Sequence, residues 1–598
     1  MMRDAESLLD LSRVPFTRHG NMLAITMRQD DVQGQFGSVD ELYLGITAAL
    51  NTAVERADLV QIELLEDGKS VPYTYKADTN LLTLRSRNGC VELCMEEKLL
   101  RFRGRGCMLR FKGYMRGHEG SCTREDGSWE LCFKLLGKML FIPGTGAMQA
   151  EGTIDWKEQH PTTPYITYGD KEGNCFEGYI AGYLSNGQIR PYYCSFDEAL
   201  EESRAAFRTF REKYPAVQEE YEQTACKAAY VIWTHMTPQR GILKSDVIYM
   251  SRNGLAAAYG WQQGYQAMAL TDSPEDAISV LRNMFVYQLP EGQIPDWIHS
   301  NSANFLGCKP PFQGVALDWL LDNADLRHVS YEKLYNLYQA LVNWVGWWLN
   351  YRDSDHNGVP QYNNPDESGW DDASVFHMGL PVEAPDLSTY LILLMDSLSR
   401  LAKILHRDRD SADWKEKADS LFHLLMTELW DGRHFIARKS STHETIDNAS
   451  IMCYLPLLLG KRLPEQIRKE LIGDLKDEKR FFFEHGIASE ALDSPYAAVK
   501  SGFARGVAPA PAEMMLALAF YQCGDNDFSH ELASRFVRKL ARDGFAVCHF
   551  PYDSEEFMIK NSDENKAFPT DMTLDTSWSA AVFMFLAGYM MKQGKKVV

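Results

Sequence analysis

The amino-acid sequence points to an α+β multidomain chain: an antiparallel β-sandwich domain over residues 1–195, a helical linker over 196–214 and a ring of helices over 215–598. Three observations carry this reading. Apolar residues recur with a period of two in the first part and of 3.6 from Phe196 onward. The first part breaks into short alternating runs with frequent turns, as sandwiches do. In the second part several helical segments are apolar on every face, so other helices must cover them.

Along the chain, Asn21–Met27 and Leu59–Leu64 read as strands. Leu82–Cys94 carries Asn88-Gly89 between two alternating runs, the strongest short hairpin signal. Leu99–Lys112 repeats the scheme around Gly104-Arg105-Gly106, and Trp129–Ile142 adds more strand. Phe196–Tyr214 is a charged amphipathic helix. Ser273-Pro274-Glu275-Asp276 offers an N-cap, a first-turn proline and early acids for a helix running to Leu289. Tyr331–Tyr351 is a helix bearing Trp344, Trp347 and Trp348, and helices follow over Asp386–Leu405, Ala412–Trp430, Ala512–Gln522, Ser529–Asp543 and Ser577–Lys592.

The unusual residues lie between these helices. Tyr259–Tyr265 precedes one helix, Leu289–Trp297 follows it, and Lys309–Gly314 precedes the next; Gly486–Glu490 and Phe503–Pro509 lie further on. Each mixes aromatic rings or Gly/Pro turns with a few polar side chains. Sugar sites use that mix, since rings cover the C–H face while amides, Arg and carboxylates bind hydroxyls. The longest such loop, Arg352–Phe376, holds six acidic residues. Its second half, Ser368-Gly369-Trp370-Asp371-Asp372, sets an aromatic ring beside two carboxylates, which suits gripping a sugar and protonating a glycosidic oxygen. Its first half, Asp353-Ser354-Asp355-His356-Asn357-Gly358, has the alternating oxygen ligands of a calcium loop; Asn364 at the twelfth position excludes an EF-hand.

The bulk numbers narrow the partners. A formal charge of −20 without a long basic run argues against nucleic acid and anionic membranes. No apolar run has the length of a spanning helix. The opening Met1–Leu11 lacks the apolar core of a signal peptide, and twelve scattered cysteines fit a reducing cytoplasm. The expected partner is an oligosaccharide or small glycoside. The residues leave the sugar, the linkage and the oligomeric state open.

Taken together, Met250-Ser251-Arg252-Asn253, Gly260-Trp261, Lys309-Pro310-Pro311, Arg352–Asp355, Ser368–Asp371, Val382–Asp386, Leu429–Gly432, Leu459–Arg462, Gly486–Glu490, Arg505-Gly506, Asp543–Ala546 and Trp578–Ala581 resemble glycoside hydrolase family 63 and its trehalase-like relatives. The resemblance is strongest to the bacterial amylo-α-1,6-glucosidase-like branch and runs from about Tyr249 to Phe583. It implies an (α/α)6 toroid behind a β-sandwich, and inverting hydrolysis of an α-glycosidic, in particular α-glucosidic, bond. It places the general acid at Asp371, with Asp372 and the Trp370 wall raising its pKa. The side chains expected at the substrate are Trp261, Gln262, Gln263, Lys309, Gln313, Trp370, Asp372, Arg505 and Trp578. For a structural calcium ion it adds Glu383 and the Val359 carbonyl to Asp353, Asp355 and Asn357.

Two departures matter. Gln262 stands where the family has an Asp. Val547 stands where the family's general base, a Glu, would fall; Glu490 is the favoured replacement, ahead of Glu555 and Asp553, and His549 is a further basic group nearby. Three readings follow: an α-glycosidase with a relocated base, altered chemistry on the same scaffold, or a carbohydrate-binding protein that has lost catalysis.

Overall fold

The computed structural model describes residues 2–27, 40–46, 59–134, 136–152, 154–155, 160–185, 187, 189–190, 192–251, 256–499, 502–553 and 575–594. The N-terminal part is two layers of sheet. One sheet has nine strands, in the order Met2–Arg3, Thr74–Ala77, Leu82–Arg85, Cys90–Met95, Leu99–Arg105, Phe176–Tyr183, Gly137–Pro143, Trp129–Phe133 and Gly120–Thr123. The other has seven, centred on Met108–Gly113 and Val60–Glu66. Pairing is antiparallel except between Met2–Arg3 and Thr74–Ala77. Alternation places Phe102 and Phe141 of one sheet against Tyr168 and Phe111 of the other, with ring centroids 4.7 and 5.4 Å apart.

The Asn88-Gly89 hairpin forms, with Arg85 opposite Cys90. Its turn is tied down by Glu66, whose carboxylate accepts bonds from Ser86 Oγ and the Asn88 amide. The second expected hairpin does not form. Leu99–Arg105 and Met108–Gly113 belong to different sheets, and Gly106 between them is where the chain changes layer. Gly106 has φ +72°, and a Cβ there would lie 2.2 Å from the Asn88 carbonyl oxygen, so only glycine makes this corner.

Helix α1 (Phe196–Arg211) starts from a Ser195/Glu198 capping box and lays Phe207 on Tyr230 and Trp233 of α2 (Glu222–His235). The toroid follows, with α3 (Gln262–Ala269), α4 (Pro274–Arg282), α5 (Gln313–Asn323), α6 (Tyr331–Tyr351), α7 (Pro385–Ile404), α8 (Asp408–Glu428), α9 (Glu465–Leu475), α10 (Ala510–Cys523), α11 (Asn526–Asp543) and α12 (Ser577–Gly594). An inner ring closes through α3, α5, α7, the leucine-rich 3₁₀ segment Leu455–Arg462, α10 and α12, each packed on the next. Helices α2, α4, α6, α8, α9 and α11 pack outside it. Composition sorts the two layers. Inner α10 is buried from Ala510 to Phe520, whereas outer α8 buries only Ser411, Trp414, Ala418, Leu421 and Leu425. Gly314 lets α5 approach α7 closely, since a Cβ there would meet the Leu394 backbone nitrogen at 2.5 Å.

Two local expectations change. The helix expected over 273–289 is α4 followed by a 3₁₀ turn, Asn283–Tyr287, and Ser273 donates its hydroxyl to the Lys213 carbonyl instead of capping. Helix α3 begins inside the 259–265 loop, at Gln262. The N-terminal part also reaches into the toroid: Arg13 pairs with buried Asp575 at 2.9 Å just before α12, and Tyr230 of α2 donates to the Pro15 carbonyl. Among the described residues no helix is long and apolar enough to cross a membrane.

Candidate active site

The connections that lead from outer to inner helices gather at one end of the ring, and most of the loops singled out in the sequence lie there. The acid loop, between α6 and α7, is strapped at its base. Arg352 Nε donates to buried Glu367 at 3.0 Å, and Glu367 also accepts the Asn363 amide. Ser368 Oγ donates to the Pro365 carbonyl and accepts the Trp370 amide, making a tight turn. Gly369 follows with φ +72°, packed so closely on Trp261 that a Cβ would lie 2.5 Å from the indole. This turn drives Trp370 inward and leaves Asp371 outward.

Asp371 sits in a group of four charges. Lys309 Nζ lies 3.8 Å from Asp371 Oδ1 and 3.6 Å from both Asp296 and Asp366, and it donates to the Asp366 carbonyl at 2.9 Å. Lys309 is 9 % exposed and Asp296 6 %, whereas the Asp371 side chain is 52 % exposed and faces open space. Burial within the surrounding walls raises the Asp371 pKa; Lys309 opposes this, Asp366 and Asp296 add to it, and the carboxyl is pushed up to about 6. With half its surface open to water, the upward direction matters more than its size. Burial likewise pushes Asp296 up to about 6 against the pull of Lys309. Burial works against the Lys309 charge, yet its three carboxylate neighbours hold its pKa above the ordinary value.

Asp372 does something other than charge its neighbour. Its carboxylate accepts the Phe503 and Ala504 amides at 3.0 and 2.7 Å, stapling the acid loop to the 503–509 loop. The acids that raise Asp371 are Asp366 and Asp296 instead. Trp370 is fully buried, edge-on to Trp261 and stacked near Phe503, and Trp261 meets Trp578 at 4.8 Å. These three indoles form the floor beneath Asp371 and offer no open face to a sugar.

The amides are committed as well. Gln262 donates to Ser577 Oγ at 2.8 Å, Gln263 to the Ile248 carbonyl at 2.8 Å and Gln313 to the Gly260 carbonyl at 2.9 Å, all three buried. Gln262 ties α3 to α12, while Gln263 and Gln313 tie α3 and α5 to the segments that precede α3, so all three amides are spent inside the protein. Arg505 Nε donates to the Tyr496 carbonyl and is only partly buried.

The expected base is also enclosed. Glu490 has no exposed surface; Ser374 Oγ donates to one oxygen at 2.6 Å, while Ser494 Oγ and the Ala449 amide donate to the other. Burial raises its pKa, against those three bonds. Because Ser374 lies three residues beyond Asp371, Glu490 is a tether of the acid loop. Asp553 is gripped by Arg542 at 2.7 Å and by His485, and the Arg542 bonds hold its carboxyl well below the usual range. His549 bonds the Ala546 carbonyl, and burial lowers its pKa to about 4, so it stays neutral. Val547 is buried. Glu555, like Arg252 and Asn253, lies outside the described residues.

In the first half of the loop, Asp355, Glu383 and His443 bring ligand atoms within 4.8 Å of one another. Asn357 Nδ2 sits between two carboxylates, donating to Asp355 at 3.0 Å and Glu383 at 2.8 Å, where a cation's charge would fall. Asp353 instead accepts the Asn357 and Gly358 amides, and Arg438 pairs with Glu383 at 2.5 Å. The carboxylates of Asp355 and Glu383 fit a hard cation in type and converge with His443, whereas the Asn357 Oδ1 is turned away to accept the Val359 amide at 2.7 Å. His443 was not legible as part of this cluster, being 88 residues from Asp355.

The description of a mannosylglycerate hydrolase MGH1-like glycoside hydrolase domain matches residues 257–563. Comparison with curated proteins gives no match. Among solved structures, the GH63 mannosylglycerate hydrolase from Thermus thermophilus in complex with glucose is 19% identical, covering 60% of this chain and 99% of that one, with a TM-score of 0.49. Neutral trehalase Nth1 from Saccharomyces cerevisiae is 13% identical, covering 68% of this chain and 87% of that one, with a TM-score of 0.46. With the domain match spanning just over half of the 598 residues, the chain belongs to the MGH1-like glycoside hydrolases.

Proposed function

We propose that the protein hydrolyses an α-glycosidic bond, most simply an α-glucosidic one, by inversion, with Asp371 as the general acid. One observation carries the reading. Asp371 alone of its charged group turns a raised-pKa carboxyl outward while Lys309, Asp296 and the strapped loop hold it in place. An acid must be protonated to give its proton to the leaving oxygen, and a raised pKa keeps a useful fraction protonated near neutrality. Inversion then needs a second carboxylate that activates water on the opposite face of the sugar.

Glu490 is assigned to holding the acid loop, which leaves Glu555 as the remaining sequence candidate for the base. Asp355 and Glu383 would hold a structural calcium ion, with Asp353 and Asn357 turning to it from their present amide partners and the Val359 carbonyl added, and the ion would fix the loop bearing Asp371. The alternative, a carbohydrate-binding protein on this scaffold, draws support from the occupied state of Glu490, Asp553 and His549.

Turnover decides between the two. Mannosylglycerate, trehalose and aryl α-glucosides are first compounds to test, with the anomer released followed by NMR. Asp371→Asn should lower kcat by about 10²–10⁴-fold while binding persists, because Asn keeps the shape but has no proton to give. No turnover of any α-glycoside, together with measurable sugar binding, would favour the binding protein. An Asp371→Asn variant of undiminished activity would move the acid elsewhere.

A further inference from the structure

A cavity of about 320 Å³ lies beside outer helix α9, between it and the connection that runs from α8 to the inner segment Leu455–Arg462. Asp371, Lys309, Asp296 and Glu490 do not line it. Its volume falls at the lower end of small-molecule sites, about 300–1,000 Å³, which suits a small sugar. Its buried lining is aromatic: Phe435 is 2 % exposed and Tyr454 6 %. A neighbour fixes each ring, Trp430 edge-on to Phe435 at 5.0 Å and Phe481 edge-on to Tyr454 at 5.1 Å, and the Tyr454 hydroxyl donates to Asp474 at 3.2 Å.

The outer lining is polar. Asp431, Thr445 and Asp447 are exposed there, and His434 and Arg480 are half-buried. Asp431 Oδ1 accepts the Arg433 and His434 amides, both at 2.7 Å, while Asp431 Oδ2 and the Asp447 carboxylate accept nothing from the described residues. Burial pushes the Asp431 carboxyl up, but those two amides outweigh it and hold the pKa below its ordinary value, so the group stays ionised. Arg480 lies 3.2 Å from Asp493 and 3.6 Å from Asp474, which holds the guanidinium in place and spends only part of its five N–H donors. The wall is preorganised as well. Asn448 Oδ1 accepts the Ser450 amide at 3.1 Å and Nδ2 donates to the Ile446 carbonyl at 2.9 Å. Ala449, next in the chain, lines the cavity and gives its amide to Glu490.

Carboxylates and a guanidinium therefore share one small space. A ligand anion would meet Asp431 and Asp447, and a ligand cation would meet Arg480. A neutral molecule rich in hydroxyls meets neither penalty: its O–H groups donate to carboxylates, its oxygens accept from N–H groups, and its C–H face covers a ring. We infer that this cavity is a second binding site, for a neutral sugar, in which Asp431, Asp447, Arg480 and His434 bond the hydroxyls and Phe435 and Tyr454 line the apolar end. It is separate from the site at Asp371 and does not rest on the glycosidase reading.

The test uses the full chain carrying Asp371→Asn, so that hydrolysis does not consume the ligand. Calorimetry and saturation-transfer NMR with glucose, mannose and trehalose measure binding. Adding Thr445→Trp, which fills the cavity from an exposed strand position, should remove one bound sugar per chain. Adding Asp431→Asn with Asp447→Ala should weaken the same event at least about tenfold, the loss expected for hydrogen bonds to charged groups. Asn keeps the Oδ1 that holds the Arg433 and His434 amides, so both variants should melt with their parent. Glucosamine and glucose 6-phosphate test the sign: each should bind this site more weakly than glucose. Loss of the Thr445→Trp-sensitive event in a protein that turns over no α-glycoside would leave this site standing and remove the glycosidase reading. The inference is overturned if the Asp371→Asn parent binds none of the neutral sugars, if both added variants bind them as the parent does, or if a charged sugar is preferred at this site.

Discussion

Replacing Lys309 by Met should move the alkaline limb of the pH–rate profile upward. The ammonium lies 3.8 Å from Asp371 Oδ1 and stabilises its charged form, so removing it makes the carboxyl harder to ionise. At that separation two unit charges interact by about 1 kcal/mol in water and about 4 kcal/mol at an effective dielectric of 20. Asp371 is 52 % exposed, so the screened end applies. About 1 kcal/mol corresponds to roughly 0.8 of a pH unit. Since the acid acts protonated, the limb should rise from about 6 toward 7, with a lower plateau because the loop loses an anchor. Met fits the buried stem, and Asp296 can take up a proton in the absence of its partner. The assay is kcat/KM against pH for wild type, Lys309→Met and Lys309→Arg on one substrate, with the Arg variant keeping the wild-type limb. A limb that stays put or moves down in the Met variant would refute the reasoning, either because Asp371 is not the proton donor or because Lys309 does not govern it.

Three other outcomes follow from the same geometry. Glu490→Gln should cost well under 10²-fold in kcat and lower Tm, as expected of a lost tether with three bonds; a loss near 10⁴-fold restored by azide would make Glu490 the base after all. Asp386 is fully buried under the bond from Tyr362, and burial pushes it up to about 7 from 3.8, so its share of stability is complete below about 4 and lost as pH rises through 7. Asp386→Asn should therefore flatten the stability–pH curve by up to about 1.4 kcal/mol per unit across that window in denaturant titrations, and an unchanged slope would show that Asp386 ionises freely. Calcium should raise Tm and EDTA lower it, with Glu383→Gln abolishing the response; an indifferent melt and no metal by elemental analysis would dismiss the ion.

The features legible in the bare chain are those whose physics is local. A period of two or of 3.6 needs only neighbouring residues, so α6 runs over Tyr331–Tyr351 as predicted, and the buried inner helices α10 and α12 fall where the all-round apolar segments lie. The Asn88-Gly89 turn and the Ser-Gly-Trp-Asp loop are likewise written in adjacent residues. Whatever depends on partners far along the chain was settled by folding. Gln262, Gln263 and Gln313 look like sugar ligands until Ser577, Ile248 and Gly260 are found to hold their amides. Glu490 looks like a free carboxylate until Ser374, 116 residues away, is found donating to it. Trp370 looks like a sugar platform until Gly369 turns it onto Trp261. The reason is common to all three. A side chain's type fixes what it can bond, but whether that capacity is spent inside the protein or left for a ligand depends on which distant atoms the fold brings within hydrogen-bond reach.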